Sequence, residues 1–173
     1  TFELERQRGI TIFSKQAMLE GDGFSIALLD TPGHVDFSSE MERTLDVLDY
    51  AVLVISGAEG IQSHTETLWE LLSRHRIPVF LFINKMDLAG ASVQPVLESL
   101  QKRFGDGFVN FSAPESQIWE DASLCDEALL EKYLEQGRLS QKDLAFQVGQ
   151  RRLFPCFFGS ALRLDGVDRL LDA

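Results

Sequence analysis

Four short apolar runs, Phe24–Asp30, Tyr50–Ser56, Val79–Asn84 and Phe154–Ser160, constrain this chain more than any other feature. They are too continuous for strands with one wet face, and such runs belong to a parallel sheet covered on both sides. Helical patterns lie between them. Phe37, Met41, Leu45 and Leu48 recur at spacings of three and four, followed by Leu68, Leu71 and Leu72, then by Val93, Val96, Leu97, Leu100 and Phe104. Alternation of strand and helix predicts an α/β fold. Ahead of the first run, Ile12–Leu19 is joined to it by Glu20-Gly21-Asp22-Gly23, a turn rich in residues that tolerate positive φ. That pattern predicts a hairpin, with one strand antiparallel at the sheet edge.

From Gly105 to about Arg152 the chain turns polar and acidic, with two modest helical segments, Asp126–Leu134 and Ser140–Gln150. The organisation expected is therefore a core over 1–104, an inserted subdomain over 105–152 and a return to the core over 153–173. A final amphipathic stretch begins at Gly166 with Val167, Leu170 and Leu171. Because the chain does not begin with Met and that last helix has barely started, the expectation is a fragment truncated at both ends. A length of 173 residues, 45% of them apolar, suits one core without disulfide staples. Its net charge of −11 argues against nucleic-acid binding by bulk charge, so any RNA contact must be local. Cys125 and Cys156 lack metal-ligand spacing and suit a reducing cytosol. No run approaches the length of a membrane span, and no secretory signal pattern opens the chain.

Chemistry-bearing residues cluster where the apolar runs end. Asp30-Thr31-Pro32-Gly33-His34 follows the first run, placing Asp30 at a strand's carboxyl end, where α/β sheets bind ligands. An acid there suits Mg²⁺, the glycine leaves its N–H free for a terminal phosphate, and His34 is placed to orient an attacking water. Taken alone, this pattern also fits a simple turn. Asn84-Lys85-Met86-Asp87 follows the third run. A carboxylate such as Asp87 can accept from both N1–H and the exocyclic amine of guanine, a donor pair adenine lacks, while the Lys85 stem lies along the base. The alternative is a capped helix start with a solvated lysine. Gly159-Ser160-Ala161 closes the fourth run and could present amides to the guanine O6 edge, although small residues are common after strands. Near the start, Arg8-Gly9-Ile10-Thr11 offers Thr11 as a second Mg²⁺ ligand in a nucleotide-dependent switch. His64 and His75, at a loop start and a polar helix end, are not expected to be catalytic. Trp69 suits packing, the acids of the insertion suit a solvated surface, and Arg151-Arg152 is too small for an RNA patch.

In order, R-G-I-T at 8–11, D-T-P-G-H at 30–34, N-K-M-D at 84–87 and G-S-A at 159–161 resemble the translational GTPases over essentially the whole chain. The resemblance implies a P-loop GTPase G domain with a mostly parallel sheet, one antiparallel edge strand and flanking helices. It implies GTP/GDP and Mg²⁺ as ligands, held by Asp30, Thr31, Pro32, Gly33, His34, Asn84, Lys85, Asp87, Ser160 and Ala161, with Thr11 and Asp30 on the metal. His34 is the implied catalytic residue, positioned by ribosomal RNA at the factor-binding site. Within the family, Glu5-Arg6-Gln7-Arg8-Gly9-Ile10-Thr11, Gln117-Ile118-Trp119 and Leu129-Leu130-Glu131-Lys132-Tyr133 look most like the tetracycline-resistance ribosomal protection proteins, whereas Val35 and Met86 are closer to elongation factor G. Alternatives are an elongation factor G-like translocase, a peptide-release-factor GTPase, or a non-hydrolysing GTPase-like binding module. The expected protein is cytoplasmic and monomeric, with the ribosome as partner and neither membrane nor DNA. The family's G-x-x-x-x-G-K-[ST] loop and its strand are absent from these residues, so this segment alone is expected to be inactive.

Overall fold

In the computed structural model the residues described are 15–21, 23–31 and 44–173. They fall into two compact units, divided between Leu48 and Asp49. The first holds a hairpin of β1 (Lys15–Gly21) and β2 (Phe24–Asp30), antiparallel from Lys15 opposite Asp30 to Gly21 opposite Phe24. So tight a register demands a positive φ in the turn, which Gly23 supplies at +88°. Burial of this hairpin differs from the expectation. Every residue of β1 is exposed, and Ile26 and Leu28 of β2 remain 44% and 47% accessible. A strand becomes buried only when neighbours and helices cover it, and β2 pairs only with β1 among the described residues. The expected helix over Phe37–Leu48 lies mostly outside the described residues; Leu45, within its last part, is buried.

The second unit is the parallel sheet. Its strand order is β3 (Ala51–Ser56), β4 (Val79–Asn84), β6 (Phe154–Phe158), β5 (Phe108–Asn110), all parallel. Strands β4 and β6 are central and almost dry: Val79, Leu81, Ile83 and Cys156 have no accessible surface. Burial also pushes the Cys156 thiol far above its ordinary range, so it behaves as a small apolar side chain. Edge strand β3 alternates, with Leu53 and Ile55 buried and Val52 and Val54 exposed.

Helices α1 (Ser63–Arg74) and α2 (Val93–Phe104) connect these strands. Trp69 of α1 is buried and stacks on Phe104 at 4.9 Å between centroids, meeting Phe154 edge-on at 4.8 Å. Arg151 covers the same indole at 5.2 Å and donates to the Ile77 carbonyl and to Ser73 Oγ. Its neighbour Arg152 pairs with Asp126 at 2.7 Å, so both arginines serve the fold.

The segment over 105–152 contributes β5 and then α3 (Glu115–Ser123), α4 (Glu127–Gln136) and α5 (Gln141–Gly149). Its apolar residues Ala122, Leu129, Leu139 and Val148 form one cluster with Val109 and Leu153, against which Phe80 of β4 also packs. This segment therefore shares a core with the sheet. Asp126 caps α4 by accepting from the Leu129 N–H, and Ser140 with Asp143 forms a capping box on α5. Lys132 reaches Asp143 from α4 at 2.7 Å. Hydrogen bonds from Lys132 and then Ser140 draw the Asp143 carboxyl down to about 2. A depressed carboxylate stabilises the fold above its unfolded value, near 3.8, and that contribution is lost as pH falls towards 2. Urea unfolding between pH 5 and pH 2 should show this loss, about 1 kcal/mol at this solvated pair. Asp143→Asn should remove that part of the pH dependence; an unchanged pH profile would exclude the pair as its source.

Candidate guanine-nucleotide site

Three strands of the parallel sheet end side by side, because the register sets Ser56 opposite Asn84 and Ile83 opposite Phe158. The loops beyond them are then tied by backbone bonds. Gly57 N–H donates to the Asn84 carbonyl at 2.8 Å, Met86 N–H to the Gly159 carbonyl at 3.0 Å, and Gly159 N–H to the Ile83 carbonyl at 3.0 Å. The Asn84 side chain completes the knot. Its Oδ1 accepts from Lys85 N–H at 2.8 Å and from Ala161 N–H at 2.9 Å, joining two loops 77 residues apart in sequence. Lys85 takes φ +62°, an unfavourable region for a side chain with a Cβ, and its N–H bond to Asn84 helps to hold it there.

Asp87 lies at the mouth of this knot. The Ser160 hydroxyl is the main cause that holds the Asp87 carboxyl below the ordinary carboxylate range. Partial desolvation opposes that shift, and Arg163 adds a smaller favourable charge. Arg163 Nε stands 3.2 Å from Asp87 Oδ2, and Lys85 Nζ lies 3.8 Å from Glu59 Oε1. After Ser160 the chain makes a single turn of 3₁₀ helix, Ala161–Arg163, and returns so that Ser160 and Asp165 exchange both backbone bonds at 3.0 Å. The helix α6 (Val167–Leu171) follows.

The structure thus brings together Asn84, Lys85, Asp87, Ser160 and Ala161 from the sequence-derived set. Asp30 and Thr31 sit at the carboxyl end of β2, in the other unit. Thr11, Pro32, Gly33 and His34 lie outside the described residues. Sequence reasoning missed Arg163 and Glu59, the charged neighbours of Asp87 and Lys85. The available signal for Arg163 was a lone cation two residues beyond G-S-A.

Loops at the carboxyl ends of parallel strands are where α/β domains bind ligands, and here they gather an acid, a lysine and an asparagine that ties them together. The chain belongs to the elongation factor Tu GTP-binding domain family, whose model matches residues 1–173. It is 39% identical over 197 residues to the oxytetracycline resistance protein of Streptomyces rimosus and 36% identical over 197 residues to the tetracycline resistance protein TetP of Clostridium perfringens, covering 99% of this chain and 30% of each relative. It is 31% identical over 218 residues to elongation factor G of Ureaplasma parvum, covering 98% of this chain and 32% of that protein. The chain therefore spans about a third of the length of these relatives. A solved structure from Thermus thermophilus superposes with a TM-score of 0.81 at 24% identity, over 97% of this chain and 32% of the other, and shares its fold. Among the described residues no helix is long and apolar enough to cross a membrane.

Proposed function

We propose that the full-length protein is a ribosome-dependent GTPase of the tetracycline-resistance protection type, and that this chain supplies its base-reading, metal and switch residues. The carrying observation is the joining of the Asn84–Asp87 and Gly159–Ala161 loops through Asn84 Oδ1, beside an ionised Asp87. That donor and acceptor set fits guanine. Asp87 accepts from N1–H and the exocyclic amine, and Lys85 lies along the base; the Ser160 N–H is held by Asp165, so a contact to the O6 edge requires the Ala161 N–H to exchange Asn84 Oδ1 for the base oxygen. Adenine offers neither the donor pair nor an oxygen at that edge.

The hydrolytic half rests on Asp30 at the end of β2 and on the residues just after it. Mg²⁺ supplies charge neutralisation on the phosphates and takes few protein ligands, which suits Asp30 and Thr11 as its holders within this chain. By resemblance to the family, Thr31, Pro32 and Gly33 are assigned to the terminal phosphate, and His34 to orienting the attacking water once the ribosome positions it. Two comparisons favour the protection type over a translocase: identity is higher to the resistance proteins, and their alignment is shorter, 197 residues against 218 for elongation factor G. A cytoplasmic monomer acting on the ribosome follows from this reading.

The test uses the full-length protein. GTP turnover is expected to rise on addition of ribosomes, and translation inhibited by tetracycline is expected to recover. Absence of ribosome stimulation would overturn the GTPase assignment, and stimulation without recovery would replace the protection reading with the translocase reading.

A further inference from the structure

One oxygen of the Asp87 carboxylate already faces a cation. Arg163 Nε stands 3.2 Å from Asp87 Oδ2, and the arginine side chain is 69% exposed whereas that of Asp87 is 17% exposed. Chemically the two candidate partners of this carboxylate are alike. The N1–C2–N2 edge of guanine is a guanidine fragment with two roughly parallel N–H donors, and an arginine head presents the same fork. Resting on the base-reading role of Asp87, we propose that Arg163 is a tethered competitor for guanine: its guanidinium pairs with a carboxylate oxygen that the base requires and swings into solvent when the base docks.

The local chain is built for such an exchange. Ser160 is buried and its backbone is fixed by its paired bonds with Asp165, so it keeps its place beside Asp87 whichever partner is present. Arg163 lies three residues on, at the end of the short turn, next to Leu164 in the left-handed region at φ +59° and with most of its side chain in water. Moving it costs one exposed ion pair. Such pairs are weak, so the competition tunes affinity and does not block the site. Capping also keeps the carboxylate paired while no base is bound and ready to be re-covered as a base departs, which favours rapid nucleotide exchange.

The experiment measures binding of a fluorescent GDP to the full-length protein by stopped flow and at equilibrium. Arg163→Ala is expected to tighten binding about two- to fivefold, chiefly through faster association. Arg163→Lys keeps the charge but loses the fork and should fall between wild type and Arg163→Ala. The difference between wild type and Arg163→Ala should shrink at high salt, which screens an exposed pair. In an Asp87→Ala background, Arg163→Ala should have no effect. Unchanged or weaker binding by Arg163→Ala overturns the proposal, weaker binding meaning that Arg163 holds the nucleotide itself. Asp87→Ala separates the two levels: if that variant alone binds GDP as wild type does, the base-reading assignment fails. If it binds poorly while Arg163→Ala does not bind more tightly, only the competitor role fails.

Discussion

In the full-length protein, Asp87→Asn is expected to lower affinity for GTP by roughly a hundredfold or more and to make XTP the preferred ligand. The carboxylate offers two acceptors to the two donors of guanine. An asparagine amide offers one acceptor and one donor, so its NH₂ would face the guanine amine and leave both without a partner. Xanthine carries an oxygen at that position, which accepts from the new NH₂, while its N1–H still finds the remaining oxygen. The substitution preserves shape. Loss of the Arg163 pair falls on an exposed side chain and should not disturb the fold. Competition of GTP and XTP against a fluorescent GDP reads the ratio directly, and selectivity unchanged from wild type would refute the role given to Asp87.

Much of this loop geometry was legible in the sequence because it depends on where strands end. Continuous apolar runs at Val79–Asn84 and Phe154–Ser160 mark strands covered on both faces, and the loop after a buried strand must emerge at the sheet's rim. Asn84 and Ser160 can therefore be placed at the sheet's rim without knowledge of the bond that joins their loops. The contact itself was not legible. That Asn84 Oδ1 bonds the Ala161 amide depends on β4 and β6 being direct neighbours, and sequence order does not say which strands adjoin. Strand β5 was missed for a related reason: three residues between Gly107 and Phe111 carry too little pattern to separate from a loop, and only pairing with β6 makes them a strand. Helix α3 was hidden by the polarity of Glu115–Ser123, where apolar contacts come mainly from Ile118, Trp119 and Ala122.

The opposite error concerns Phe24–Asp30. Its run of Ile26, Ala27, Leu28 and Leu29 reads as buried, yet a strand's hydrophobicity states only that it can be covered. Among the described residues β2 has a single antiparallel neighbour, so Ile26 and Leu28 stay accessible. The apolar content of β2 and the exposed face of β3, Val52 and Val54, are the two places where the pattern calls for more cover than the described residues give.

The most damaging single substitution in the parallel-sheet unit should be Gly159→Ala. A methyl group there would lie 2.0 Å from the Asp165 carbonyl oxygen, 2.9 Å from its carbon and 3.1 Å from Gly166 Cα. All three are backbone atoms, so no side-chain rotation can relieve the clash. Nor can the residue itself retreat, because its N–H is held by Ile83 and its carbonyl by Met86. Relief requires opening the Ser160–Asp165 bridge or parting the two loops that Asn84 joins, and either would displace Ser160. The expected loss is about 3 kcal/mol or more in urea unfolding, with nucleotide affinity falling further than stability alone explains. Gly149→Ala provides the contrast: that glycine closes helix α5 with nothing within 4 Å of a new methyl group, and the gain in helix propensity should stabilise by up to about 1 kcal/mol. If Gly159→Ala costs less than about 1 kcal/mol, within the range of ordinary substitutions, the loops are not locked together as the geometry requires. The shared placement of Ser160 and Asp87 would then have to come from nucleotide binding and not from the fold.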